Sequence, residues 1–132
     1  AVIGFTTEGD VFGGFYSVPV TIQDKTNNDS TIFAFSFESH GRCMVPQRFV
    51  LKEEMKVKTT VWVKLLFCRW GFVIFRAGDG FFWLGNEKSL SICRNVSSGF
   101  EGIEDTTLTG QNSSDVEPRF HHCIRLIAVR FG

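Results

Sequence analysis

The chain has few prolines, with three, and few methionines, with two, and no paired CxxC among its four cysteines. No apolar run approaches the roughly 18 residues that a membrane-crossing helix needs. No basic start followed by an apolar segment marks a signal peptide. Net charge is also missing: Lys plus Arg and Asp plus Glu stand at 14 each, so no bulk field draws in nucleic acid or an anionic membrane. Nor does any stretch carry three turns of helical periodicity. These absences exclude a helical bundle, a helical membrane anchor, a basic nucleic-acid binder and a zinc knuckle built on closely spaced cysteines.

What is present is aromatic. Fifteen Phe and three Trp in 132 residues favour half-buried pleated surfaces, and the length suits one domain with one core. The central stretch is Gly71 to Leu84, where two apolar runs flank Ala77-Gly78-Asp79-Gly80. Glycine tolerates positive φ and Asp bonds its own backbone, so the tetrad reads as a tight reversal. Its two arms are apolar on both faces, as in the middle of a sandwich. A first hairpin is expected from Ala1 to Tyr16, with Gly13-Gly14 marking a bulge or a close backbone approach. Ser17 to Ser30 reads as a surface loop. Thr31 to Phe37 alternates, with Phe33, Phe35 and Phe37 on one side and Ala34 and Ser36 on the other. Short strands are expected at Arg48 to Leu51 and Leu90 to Cys93, a long one at Thr59 to Phe67, and one helical turn within Lys52 to Lys58. Ser98 to Glu101 spells a capping box, but Gly102 follows, so Ser97 to Gly110 is expected to be a loop without helix. Gln111 to Pro118 reads as a second loop, and Cys123 to Phe131 as a buried closing strand. The fold class is mainly β: an antiparallel two-sheet β-sandwich with short helical turns at its edges.

Several constellations could carry chemistry. His40-Gly41-Arg42-Cys43 and His121-His122-Cys123 hold all three histidines and two of the four cysteines, a donor set that zinc accepts. Adjacent His121 and His122 on a strand point opposite ways, and no elbow presents a nucleophilic Cys or Ser, so neither a metal site nor a Cys-His pair is assigned. No cofactor is implied, and Gly78-Asp79-Gly80 lacks the Lys of a phosphate loop. Four cysteines in apolar contexts read as reduced thiols of an intracellular, cytoplasmic protein. Asn28-Asp29-Ser30, Asn95-Val96-Ser97 and Asn112-Ser113-Ser114 fit the glycosylation pattern and support the alternative, a secreted or surface module that binds glycan or protein. The most distinctive loop is Phe100 to Leu108. There Glu101, Glu104 and Asp105 surround apolar Phe100 and Ile103, an acidic rim around apolar anchors that suits contact with a basic protein partner.

The order of motifs resembles a TLDc domain, the module of the oxidation resistance proteins. The matching landmarks are Glu8-Gly9-Asp10-Val11-Phe12-Gly13-Gly14-Phe15, Phe33-Ala34-Phe35-Ser36-Phe37, Pro46 with Phe49, the central hairpin, and Leu108-Thr109-Gly110 before a closing apolar strand. The likeness is strongest to divergent members of single-celled eukaryotes. It implies a two-sheet sandwich and a non-enzymatic protein-interaction role linked to oxidative-stress resistance. It also implies a protein partner, with vacuolar proton pump subunits as the example set by animal members. Such domains begin with a further, partly helical segment, so the apolar start at Ala1 is read as a truncated one. Two departures stand out. Asp79 lies between Gly78 and Gly80 where the animal pattern is Gly-x-Gly-x-Asp, and Leu126 and Ala128 occupy positions where animal members carry glutamates.

Overall fold

The computed structural model describes residues 1–17, 27–57, 60–68, 71–77, 82–85, 89–92, 96–110 and 120–131. They form an antiparallel, mainly β architecture with very little helix. The strands are β1 (Val2–Thr6), β2 (Val11–Phe15), β3 (Asn27–Asn28), β4 (Phe33–Glu38), β5 (Gln47–Val50), β6 (Thr60–Cys68), β7 (Gly71–Ala77), β8 (Phe82–Gly85), β9 (Ser89–Ile92) and β10 (Phe120–Ala128). One 3-10 turn spans Glu53–Met55 and one α-helical turn, α1, spans Val96–Gly99. The hydrogen-bonded order is β3-β6-β7-β8-β9-β10-β1-β2-β4-β5. β10 belongs to both halves of that order: Phe120 to His122 pair with β9, and Cys123 to Ala128 pair with β1.

Most expected strands fall where the periodicity put them. The central hairpin pairs Ala77 with Phe82, while its turn at residues 78–80 and the side chains of both arms lie outside the described residues, as does the loop 111–119. Three expectations are corrected. The Ser17 to Ser30 loop contains the two-residue β3, which pairs with β6. The Ser97 to Gly110 stretch is not free of helix, because Val96–Gly99 closes one turn through the Phe100 N–H on the Val96 carbonyl at 3.2 Å. The closing strand is not buried throughout: Arg125 and Ala128 are exposed, and Phe131, just beyond it, is 66% exposed. The pleat accounts for part of this. Successive residues of a strand alternate between faces, and only one face meets the core.

That face is built from small residues opposite large ones. Val2, Phe12, Ala34 and Phe49 point inward from β1, β2, β4 and β5, and Leu51, Val96, Phe100, Ile103 and Leu108 close over them. The cover on the sheet is therefore the 96–108 segment. Burying Phe12 or Phe49 contributes about 2–3 kcal/mol each. The opposite face carries the Phe row. Phe33 stacks on Phe15 of β2 at 4.8 Å, and Phe35 lies 4.8 Å from Phe37. Gly13 lets this row sit down: a Cβ there would stand 2.0 Å from the Val2 carbonyl oxygen and 2.7 Å from Phe35 Cζ. The Gly13-Gly14 pair thus marks a close approach of ring to backbone, with a register shift between Val11 and Phe12 beside it.

Candidate functional site

The five residues singled out in the acidic loop divide into two groups. Phe100 and Ile103 are buried in the core, so they pin the loop rather than face outward. Phe100 bridges to Leu51, the Lys52 N–H donates to the Gly99 carbonyl at 3.0 Å, and the Glu101 N–H donates to the Val50 carbonyl at 2.8 Å. The segment is stitched to the end of β5 by these bonds. Gly102 then turns the chain at φ +70, with open space beside it, and Ile103 drops back into the core. A left-handed turn between two anchored neighbours needs glycine. Glu101 and Glu104 are left exposed, and Asp105 is half-buried, its carboxylate accepting the Ser97 N–H at 3.0 Å. Asp105 therefore holds the α1 turn, and the outward charge rests on Glu101 and Glu104.

Beside Glu101 opens a cleft of about 440 Å³ with Ile32, Phe33, Val50 and Leu51 in its lining and Arg48, Glu53 and Lys56 among its charges. The Lys56 ammonium donates to Glu53 at 2.5 Å, and this hydrogen bond, aided by the Glu53 charge, holds its pKa above the usual lysine range. The Arg48 guanidinium lies 5.0 Å over the Phe33 ring, a cation–π contact.

A second cluster joins three loops. Asp10, 2% exposed at the β1–β2 turn, accepts from Arg42 Nη2 at 2.5 Å and lies 2.9 Å from His40 Nδ1. Arg42 also donates from Nε to the Thr107 carbonyl and from Nη2 to the Leu108 carbonyl, both at 3.0 Å. Gly110 turns at φ +71, where a Cβ would stand 2.9 Å from Arg42 Nη1. His40 itself sits at φ 51, its N–H and that of Ser39 taken by the Glu38 carboxylate. The arrangement fixes the β1–β2 turn, the loop after β4 and the end of the acidic segment to one another. Sequence reasoning did not find it, because an Asp beside Gly9 in a hairpin turn reads as turn chemistry. A usable signal was the Arg two residues after His40 on a loop with no acid of its own.

Among the described residues no three His, Cys, Asp or Glu side chains could share an ion. His40 is committed to Asp10, and Cys43 is a free, half-buried thiol whose N–H donates to Ser39 Oγ at 2.7 Å. His121 and His122 pair with Leu90 and Ser89 in backbone register, their side chains lying outside the described ones. Among the described residues no helix is long and apolar enough to cross a membrane. Comparison with protein families, with curated proteins and with solved structures finds no match to this chain.

Proposed function

We propose that this chain is a TLDc-like, non-enzymatic, intracellular protein-interaction domain that serves oxidative-stress resistance through a protein partner, with vacuolar proton pump subunits as the first partner to test. The observation that carries the interaction reading is the division within the acidic loop: Phe100, Ile103 and Leu108 anchor it in the core while Glu101 and Glu104 project from it. A rigid display of this kind lowers the ordering cost of binding, and exposed carboxylates steer a basic partner surface. The TLDc reading rests on the order of sequence landmarks, from Glu8 through Phe37 and Phe49 to Gly110.

The test uses purified pump subunits immobilised on beads. The wild-type domain is expected to be retained, and Glu101→Lys with Glu104→Lys to abolish retention. Because both side chains are exposed, unfolding free energy is expected to stay within about 0.5 kcal/mol. No retention of the wild type overturns the pump as partner, and equal retention of the variant overturns the loop as the contact.

The proposal includes the two-sheet sandwich, with β3 and β6 to β9 folded over the Phe15, Phe33 and Phe35 face. Support comes from β10, which pairs with both halves, and from the half-buried state of Phe15 and Phe33 on that face. Small-angle scattering separates the shapes. A compact sandwich of this length has a radius of gyration of about 14 Å. Ten strands laid side by side span about 43 Å across the strands and give a clearly larger value.

A further inference from the structure

The strand that ends the sheet is only partly covered. β5 pairs with β4 on one side and stands last in the strand order, so its other side is an edge. The 99–101 segment begins to fill that edge. The Lys52 N–H donates to the Gly99 carbonyl and the Glu101 N–H to the Val50 carbonyl, so the backbone groups of Val50 and Lys52 face away from β4. Along an antiparallel strand each residue's N–H and C=O point to one side and the next residue's to the other. The Arg48 N–H and carbonyl therefore face outward as well. There the cover stops, because Gly102 turns at φ +70 and Ile103 returns to the core. Among the described residues the Val50 N–H and both backbone groups of Arg48 are without a partner on that side. Pro46, next in the same alternation, has no N–H and bounds the slot at its far end. These groups lie in line and continue the track that the 99–101 segment starts, a template for a short added strand.

The side chain at the slot selects what it accepts. Arg48 stands opposite Phe35 of β4, and its guanidinium lies 5.0 Å over the Phe33 ring. Among the described residues it forms no ion pair. The other cation of the neighbouring cleft is different: Lys56 is bonded to Glu53, and Glu101 adds its charge to that pair. Arg48 is thus the cleft's cation without an acid of its own, its planar fork held on a ring and its N–H groups open. We propose that the outer edge of β5 accepts an extended strand of a partner protein, paired to the Arg48 backbone, with an Asp or Glu facing the Arg48 guanidinium. A second copy of this chain is the poorer occupant. Only Arg48 offers both ladder groups, so two such edges would meet with Arg48 opposite Arg48, and like charges directly opposite destabilise a strand pair. The contact is made by backbone groups of β5 and one cation, so it does not rest on the Glu101 and Glu104 contact.

The free domain tests the slot first. Amide hydrogen exchange is expected to be fast at Arg48 and Val50 and slow at Phe49, whose N–H faces β4. Protection of the Arg48 amide in the free protein overturns the proposal. The domain labelled with ¹⁵N is then titrated with a capped peptide of alternating threonine and valine that carries one central glutamate, and with the same peptide carrying lysine there. The glutamate peptide is expected to shift the Arg48 and Val50 amides, to slow exchange at Arg48, and to bind about fivefold more tightly than the lysine peptide. Arg48→Glu is expected to reverse that preference. Arg48→Pro is expected to abolish binding of both peptides with little change in melting temperature, because proline is tolerated on an edge strand where the N–H faces away from the sheet. No shift with either peptide, equal binding of the two, or an Arg48→Glu variant that still prefers glutamate overturns the proposal. So do shifts at Arg48 that grow with protein concentration alone, which would make the occupant a second copy.

Discussion

Replacing Gly13 by alanine is expected to cost about 3 kcal/mol or more, the upper range for overpacking a fitted interior, and so to remove a large part of the domain's margin. A single methyl has this effect because of what it meets. The new Cβ would stand 2.0 Å from the Val2 carbonyl oxygen, and that oxygen is backbone within β1, unable to rotate aside. It would also meet Phe35 Cζ at 2.7 Å, and Phe35 is braced by Phe33 and Phe37. Relief therefore requires β1 and β2 to separate, with loss of the Val2–Gly14 and Ile3–Gly13 pairing. Gly99→Ala is the matched control. It lies in α1 with nothing within 4 Å of its Cβ position, and alanine there is expected to be neutral or to stabilise by up to about 1 kcal/mol. Urea unfolding followed by fluorescence measures both. Equal effects at the two positions would contradict the close approach.

The first hairpin, the Phe33 to Phe37 strand and the turn after Lys52 were legible in the sequence because each rests on local signals, two-residue alternation or turn residues. Which face of β4 meets the core was not. Phe33, Phe35 and Phe37 alternate with Ala34 and Ser36, and hydrophobicity alone would send the phenylalanines inward. The structure puts Ala34 in the main core cluster, beside Phe12 and Phe49 from neighbouring strands, with Ser36 buried on the same face, while on the other face Phe35 is buried, Phe33 half-buried and Phe37 exposed. Volume on adjacent strands decides the matter, and no single-strand pattern contains it. The acidic loop shows the same limit. Its composition marked Phe100 to Leu108 as distinctive, yet whether Phe100 and Ile103 face a partner or the core depends on Leu51 and Phe49, far away in sequence. The Asp10 cluster is harder still to read, since the three loops it joins lie 30 and more residues apart in sequence and its partners include backbone carbonyls, which carry no residue signature.

Asp10→Ala is expected to be the most damaging change at a polar position, lowering stability by about 3 kcal/mol. That is the lower end for removing one member of a buried ion pair, since Arg42 retains some solvent. Asp10 is nearly inaccessible, and its carboxylate answers both Arg42 and His40. Its loss leaves the guanidinium held over the Thr107 and Leu108 carbonyls without its counter-charge, and releases the β1–β2 turn from the loop between β4 and β5. Arg42→Ala is expected to cost less, because the Asp10 carboxylate keeps His40, but it frees the Thr107 and Leu108 carbonyls and loosens the acidic segment. A double-mutant cycle gives the coupling, expected at about 1–3 kcal/mol for groups in one network. The same variants also report local opening. Hydrogen exchange at residues 104–110 and 39–45 is expected to rise together in either single variant, because Arg42 is the tie between them. Additive effects, with exchange rising in only one of the two loops, would show that the acidic segment and the loop between β4 and β5 are held independently.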